Sequence, residues 1–243
     1  MNESARATTV LLVGAMLVRL FADGTYTRYV RAEMGWALVA TGALLVGLGL
    51  TGLIRILMAR WVTHTGEHAH QPDHAHDGEH AHGTGVAWLL LAAVVVLLVA
   101  PPALGSYGLD RNETNTLTAN GETFAPLPAG KTATMTLREF TLRAADNNGA
   151  SLGSTSVQLT GFVAKSNDGT GFRIARYTIA CCAADGSAAV VRVVGATGNS
   201  PAVDQWVTVT GTFRPITGAQ AGDPPQLLMS TMTETSSPSN PYE

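Results

Sequence analysis

Hydrophobic and polar positions divide this chain into two halves with different rhythms. In the first half the apolar residues form long runs. Residues 8–22 are apolar apart from their threonines and Arg19, residues 35–58 hold one charge, Arg55, and residues 86–104 (VAWLLLAAVVVLLVAPPAL) hold none. A helix that crosses a bilayer needs about 20 mostly apolar residues. The pattern predicts membrane helices at about 8–22, 35–58 and 86–104, the last ended by Pro101-Pro102. A secretory leader is the competing reading of the first run, since Arg6 precedes it. Arg19 lies inside the run, the Ala5–Ala7 A-x-A triplet lies ahead of it, and Ala22-Asp23-Gly24 is a poor cleavage signal. An uncleaved span is therefore expected, with Arg19 reaching back to the headgroups.

The second half alternates. TMTLREFTLRAAD, 134–146, fits a short amphipathic helix at least as well as a strand. After Asn147-Asn148-Gly149 come β-rich runs at Ser156–Lys165, Gly171–Cys181, Ala188–Gly195, Trp206–Arg214 and Pro225–Met232, most bounded by Gly, Asn, Asp or Pro. Gly161 and Gly211 interrupt two of these runs, which suggests bulges or sharp coiling in a closed sheet. Five short strands fit a small OB-like barrel, with a small β-sandwich as the alternative.

The expected architecture is a membrane α-helical region over 1–105 followed by an all-β carboxy-terminal domain. The helical region carries a loop at 63–85. A linker at 106–133 leads to the β-rich domain at 134–235, with its short leading helix, and a Ser/Pro-rich tail at 236–243 is expected to be disordered.

Charge changes the picture little. A net charge of −3 and a charged fraction of 14% leave no basic field for nucleic acid. Three spans put the amino terminus and the 63–85 loop on one side and the β domain on the other. The positive-inside rule ties at Arg6, Arg55 and Arg60 against Arg28, Arg31 and Arg111. The reading adopted is a multi-pass protein of the bacterial cell membrane, with the loop inside and the β domain extracytoplasmic. Tyr26, Tyr29, Trp36, Trp61 and Trp88 sit where interfacial residues meet membrane lipid.

Candidate metal chemistry is concentrated in two places. All seven histidines lie between residues 64 and 82: His64, then the His-Ala-His units His68/His70, His74/His76 and His80/His82. Glu67, Asp73, Asp77 and Glu79 are interleaved with them. Neutral imidazoles beside carboxylates bind zinc, and nickel or copper as well. Alternate spacing suits an extended loop, because positions i and i+2 share a side there. Such a loop would hold several ions weakly and exchange them quickly. The competing reading is a solvated low-complexity linker.

The second place is RYTIACCAADG, with Cys181, Cys182 and Asp185. Adjacent strand residues point to opposite faces, so both thiolates reach one metal only if the backbone bends. Three readings stand side by side. One is a metal or metalloid site with Asp185, one is a strained vicinal disulfide or redox pair, and one is a buried structural cysteine with an incidental neighbour. Asp185 is also a natural turn residue. Arg173 and Arg176 flank the preceding strand and would lower a thiol pKa if either sat beside it.

The apolar spans with a His-bearing loop, the stretch GFVAKSNDGTGFRIARYTIACCAADG and the later WVTVTGTF together resemble the YcgQ-like family of bacterial permease subunits. The most specific part is Arg176 to Asp185. The resemblance implies a separate multi-span membrane permease as partner and a role in metal homeostasis, through the association of several members with zinc-responsive gene sets. It carries over no catalytic residue.

The leading expectation is an accessory subunit of a metal-ion permease system, with zinc as the ion. A docking scaffold whose His tract responds to pH is the second reading, and a membrane-tethered thiol protein is the third. No nucleophile–base set, phosphate loop or cofactor fingerprint accompanies the cysteines, so no enzymatic activity is expected.

Overall fold

The computed structural model describes residues 3–64, 95, 99, 102–111, 123–165, 171–195, 200–216 and 223–243. The chain divides into two compact units. One comprises residues 1–26 and 33–101, the other residues 27–32 and 102–243.

The first unit is built on two long helices, α1 (Glu3–Ala22) and α2 (Gly35–His64). Both are long and apolar enough to cross a membrane, by length and composition. They pack closely because small residues lie where the backbones approach. A Cβ at Gly14 would stand 2.7 Å from the Val46 nitrogen, and one at Gly49 would stand 2.8 Å from the Leu11 nitrogen. Leu44, Leu48, Leu50, Ile54, Leu57 and Met58 remain exposed, as expected where a helix faces hydrocarbon rather than a protein core.

Both helices outrun their predicted bounds of 8–22 and 35–58. Polar residues such as Ser4 and Arg6 are good enough helix formers to continue the hydrogen-bonded ladder, and apolar periodicity cannot register them. The predicted third helix, 86–104, lies outside the described residues except for Val95, Val99 and 102–104. The Val99 N–H donates to the Val95 carbonyl at 3.2 Å, and residues 102–104 are not helical.

The second unit holds a six-stranded mixed sheet. Its strands are β1 (Ala133–Thr134), β2 (Ser156–Ala164), β3 (Phe172–Thr178), β4 (Ser187–Val194), β5 (Trp206–Arg214) and β6 (Gln226–Thr235). The order is β1-β2-β3-β4-β6-β5, and β5 pairs back onto β2. Five strands therefore close into a ring of pairings, all antiparallel except β4 with β6. Buried positions alternate along β5, with Val207 and Val209 fully enclosed, as a sheet with one face on the core requires. The register shift falls between Thr210 and Gly211, at one of the two glycines that interrupt the β runs.

Helix α3 (Leu137–Ala145) leads into the sheet. Thr136 caps it, its Oγ1 accepting the Glu139 N–H at 3.0 Å. Leu137 and Phe140, three apart and both fully buried, join the main core with Leu159, Ile174, Val191 and Val209. A second cluster gathers Leu109, Phe162, Tyr177, Ile179 and Tyr242.

Two expectations are corrected here. The stretch 106–133 is more than a linker: Ser106–Arg111 forms a 3-10 turn that buries Leu109, Leu127 packs on the main core, and Ala133 pairs with Val157. The tail from Ser236 is ordered. Its composition lacks apolar residues until Tyr242, yet Tyr242 is buried, Arg176 donates to the Pro241 and Tyr242 carbonyls, and the Glu243 N–H donates to the Tyr177 carbonyl at 2.9 Å.

Candidate metal centre

Strand β3 ends at Thr178, three residues before the cysteines, so the pair occupies a loop rather than the strand end expected at Cys181. After Cys182, Ala183–Asp185 form a single 3-10 turn leading into β4. That turn brings the Asp185 carboxylate back over the loop. Its Oδ1 accepts the Ala180 N–H at 2.8 Å. Its Oδ2 accepts the Cys181 N–H at 2.9 Å, the Cys182 N–H at 3.2 Å and the Cys181 thiol at 2.8 Å. One carboxylate thus satisfies three backbone donors and a thiol, which explains why an exposed loop adopts one conformation.

The backbone bend that two adjacent cysteines need is present. The Sγ atoms of Cys181 and Cys182 and a carboxylate oxygen of Asp185 lie within 4.8 Å of one another. Both cysteines are free thiols; Cys181 is exposed and Cys182 partly so. Two sulfurs and one oxygen at this separation can converge on a single cation. This donor set suits a borderline or soft divalent ion and leaves further coordination positions to solvent or another donor.

The electrostatics follow from the same contacts. The hydrogen bond to Asp185, then the neighbouring Cys182 thiol, push the Cys181 thiol up to about 11. The thiol, followed by the Ala180 and Cys181 N–H groups, holds the Asp185 carboxyl well below the usual carboxylate range. Without a bound cation, the site is therefore a protonated thiol beside a carboxylate anion.

The proposed assistance from Arg173 and Arg176 does not occur. Arg173 donates through Nε to the Lys165 carbonyl at 2.7 Å. Arg176 donates to the Asn240 carbonyl at 3.0 Å and the Pro241 carbonyl at 3.2 Å, and lies 3.7 Å from Glu243. Both guanidinium groups serve neighbouring backbone and the tail.

The histidine tract is not brought to this site by anything described. His64 is the final residue of α2, a helical position rather than a loop position. His68, His70, His74, His76, His80 and His82 lie outside the described residues.

Sequence reasoning missed the segment that borders the cysteines. Residues 27–32, which join α1 to α2 in sequence, belong to the β unit. Val30 forms an antiparallel bridge with Cys182. The Arg31 N–H donates to the Cys181 carbonyl at 3.1 Å, and the Ala183 N–H donates to the Tyr29 carbonyl at 2.8 Å. The same segment is anchored by Thr27 to the Ser239 carbonyl at 2.9 Å and by the Tyr242 hydroxyl to the Arg28 carbonyl at 2.7 Å. Tyr29 reads in sequence as an interfacial anchor, and no local signal distinguishes that role from strand pairing across about 150 residues.

Residues 140–243 match the family model described as the DUF1980 C-terminal domain. This match includes Cys181, Cys182 and Asp185. No curated protein and no solved structure matches the chain.

Proposed function

We propose that the chain is an accessory subunit of a membrane permease system for metal ions, with zinc as the leading substrate and other divalent transition metals within its reach. The observation that carries this reading is the convergence of the two thiols and Asp185 within 4.8 Å on an exposed loop. Support comes also from the two apolar helices, from the seven clustered histidines, and from the resemblance that supplies a multi-span permease as partner.

The connector pairing supports a three-span arrangement. Residues 27–32 follow α1 and pair with 181–183, so the β domain shares their side of the membrane if α1 and α2 both cross. Chain parity then requires one further crossing between residues 64 and 102, and the uncharged run 86–104 supplies it. The His tract faces the opposite side from the cysteines. It buffers metal there, most simply in the cytoplasm, while the thiol–carboxylate loop holds metal outside. The role is capture and delivery without a catalytic step.

Metal content of the full chain, purified in detergent and equilibrated with micromolar zinc, tests this. Wild type should hold more zinc than a 64–82 deletion, and a Cys181→Ser, Cys182→Ser variant should lose about one ion while keeping the weak, fast-exchanging fraction. Wild-type protein that emerges metal-free overturns the reading. Binding that both variants abolish without altering cellular metal tolerance favours a docking scaffold instead.

A further inference from the structure

The bridge between the helix connector and the cysteine loop has a specific geometry. Two hydrogen bonds, Arg31 N–H to Cys181 and Ala183 N–H to Tyr29, bracket the Val30–Cys182 pair. In an antiparallel ladder, a pair bracketed in this way is the non-hydrogen-bonded one, whose side chains stand closest. Val30 is therefore the cross-strand neighbour of Cys182. Cys181 has its carbonyl fixed by the connector and its N–H fixed by Asp185. Both peptide groups that orient the two sulfurs are thus fastened, one side by Asp185 and the other by residues 29–31.

We propose that the Tyr29–Arg31 segment is the second half of the metal site's frame, so that cation occupancy at Cys181, Cys182 and Asp185 and the conformation of the connector between the two apolar helices control each other. This rests on the metal reading above. Binding to a flexible site includes the cost of ordering it, and a segment that pre-orders the donors raises affinity. Linkage makes the effect reciprocal: whatever the connector adds to cation affinity, the cation adds to the stability of the connector pairing. The connector leads directly through Ala32–Met34 into α2, so occupancy is reported at the start of a membrane helix.

The experiment uses the full chain in lipid nanodiscs with cadmium as the probe, read by thiolate-to-metal charge-transfer absorption and by hydrogen exchange of the amides at 27–32 and 181–183. Cadmium should slow exchange in both segments of wild type by about tenfold or more, and leave them unchanged in the Cys181→Ser, Cys182→Ser variant. Arg31→Pro, which removes the donor to Cys181, should weaken cadmium binding about tenfold, whereas Arg31→Ala keeps the backbone donor and should retain wild-type affinity. Cadmium bound by the thiols with unchanged exchange at 27–32 overturns the coupling and leaves the metal site standing. Equal weakening in Arg31→Ala assigns the effect to the side chain and also overturns it. Absence of any charge-transfer absorption in wild type overturns the metal reading itself.

Discussion

The Asp185 carboxylate accepts a hydrogen bond from the Cys181 thiol at 2.8 Å, and this contact sets the reactivity of Cys181. A thiol held at about 11 is almost wholly protonated at neutral pH, so exposure alone does not make it a nucleophile. Asp185→Asn keeps a turn-forming side chain and removes the anion. Cys181 should then titrate nearer the ordinary value of 9.0, about two units lower. That gives roughly 100-fold more thiolate at pH 8, offset by its lower intrinsic nucleophilicity, for a net gain of about tenfold. Iodoacetamide labelling of Cys181 in a Cys182→Ser background measures this. Equal rates in the two proteins would remove the carboxylate as the controlling group.

Metal binding should be steeply pH-dependent for the same reason. A thiol must lose its proton before it ligates, so zinc competes with protons at Cys181. Each displaced thiol proton makes log affinity rise by about one per pH unit below its pKa. With Cys181 ligating, apparent zinc affinity should climb by about tenfold per unit between pH 6 and pH 8. Competition titrations on the 64–82 deletion isolate the thiol component, and a pH-independent affinity there would exclude thiolate ligation.

The tail makes a third test. Glu243 accepts the Leu137 N–H at 2.9 Å and the Arg138 N–H at 3.1 Å, two of the donors that the start of α3 leaves without intrahelical partners. Glu243→Ala should cost about 1–3 kcal/mol, since it strands those donors and removes the acid beside Arg176. Burial pushes the Glu243 carboxyl above its usual range, against the opposing pull of the Arg138 and Leu137 N–H groups and Arg176. A carboxyl raised on folding favours the folded state fully below its unfolded value of 4.5, and that contribution is lost as pH rises through the folded value. Glu243→Gln should therefore flatten the decline in melting temperature that wild type shows upward from about 4.5. An unchanged slope would place the titration elsewhere.

How much of this was legible follows from what makes each element. The strands were, because β4, β5 and the first half of β2 alternate in burial, and the Trp206–Arg214 strand has the bounds the sequence implies. Cys181, Cys182 and Asp185 were legible as candidate donors by residue type alone. Their arrangement was not. It depends on a 3-10 turn and on a bridge to Val30, about 150 residues away, and neither leaves a periodic trace. The tail misled because order there comes from one buried ring, Tyr242, and from backbone carbonyls held by Arg176, whereas composition registers only the serines and prolines around them.

The glycines that break two β runs supply a fourth prediction. At Gly211 the β5–β6 register shifts, and a Cβ there would fall on the Leu228 carbonyl across the strand pair. At Gly161 a Cβ would stand 2.7 Å from the Ala175 carbonyl oxygen. In both cases the obstacle is backbone of a neighbouring strand, which a rotamer change cannot relieve. Relief requires the strands to separate at a point where the five-strand ring must close, so strain spreads into the β5–β6 ladder. Gly211→Ala should destabilise the β domain by roughly 1–3 kcal/mol, the range for forced overpacking, and Thr210→Ala should cost less. Denaturant unfolding of the full chain, followed by fluorescence of Trp206, gives both values. Should Gly211→Ala unfold at the wild-type midpoint, the sheet would have to tolerate a side chain at its bulge, and glycine there would mark nothing about ring closure.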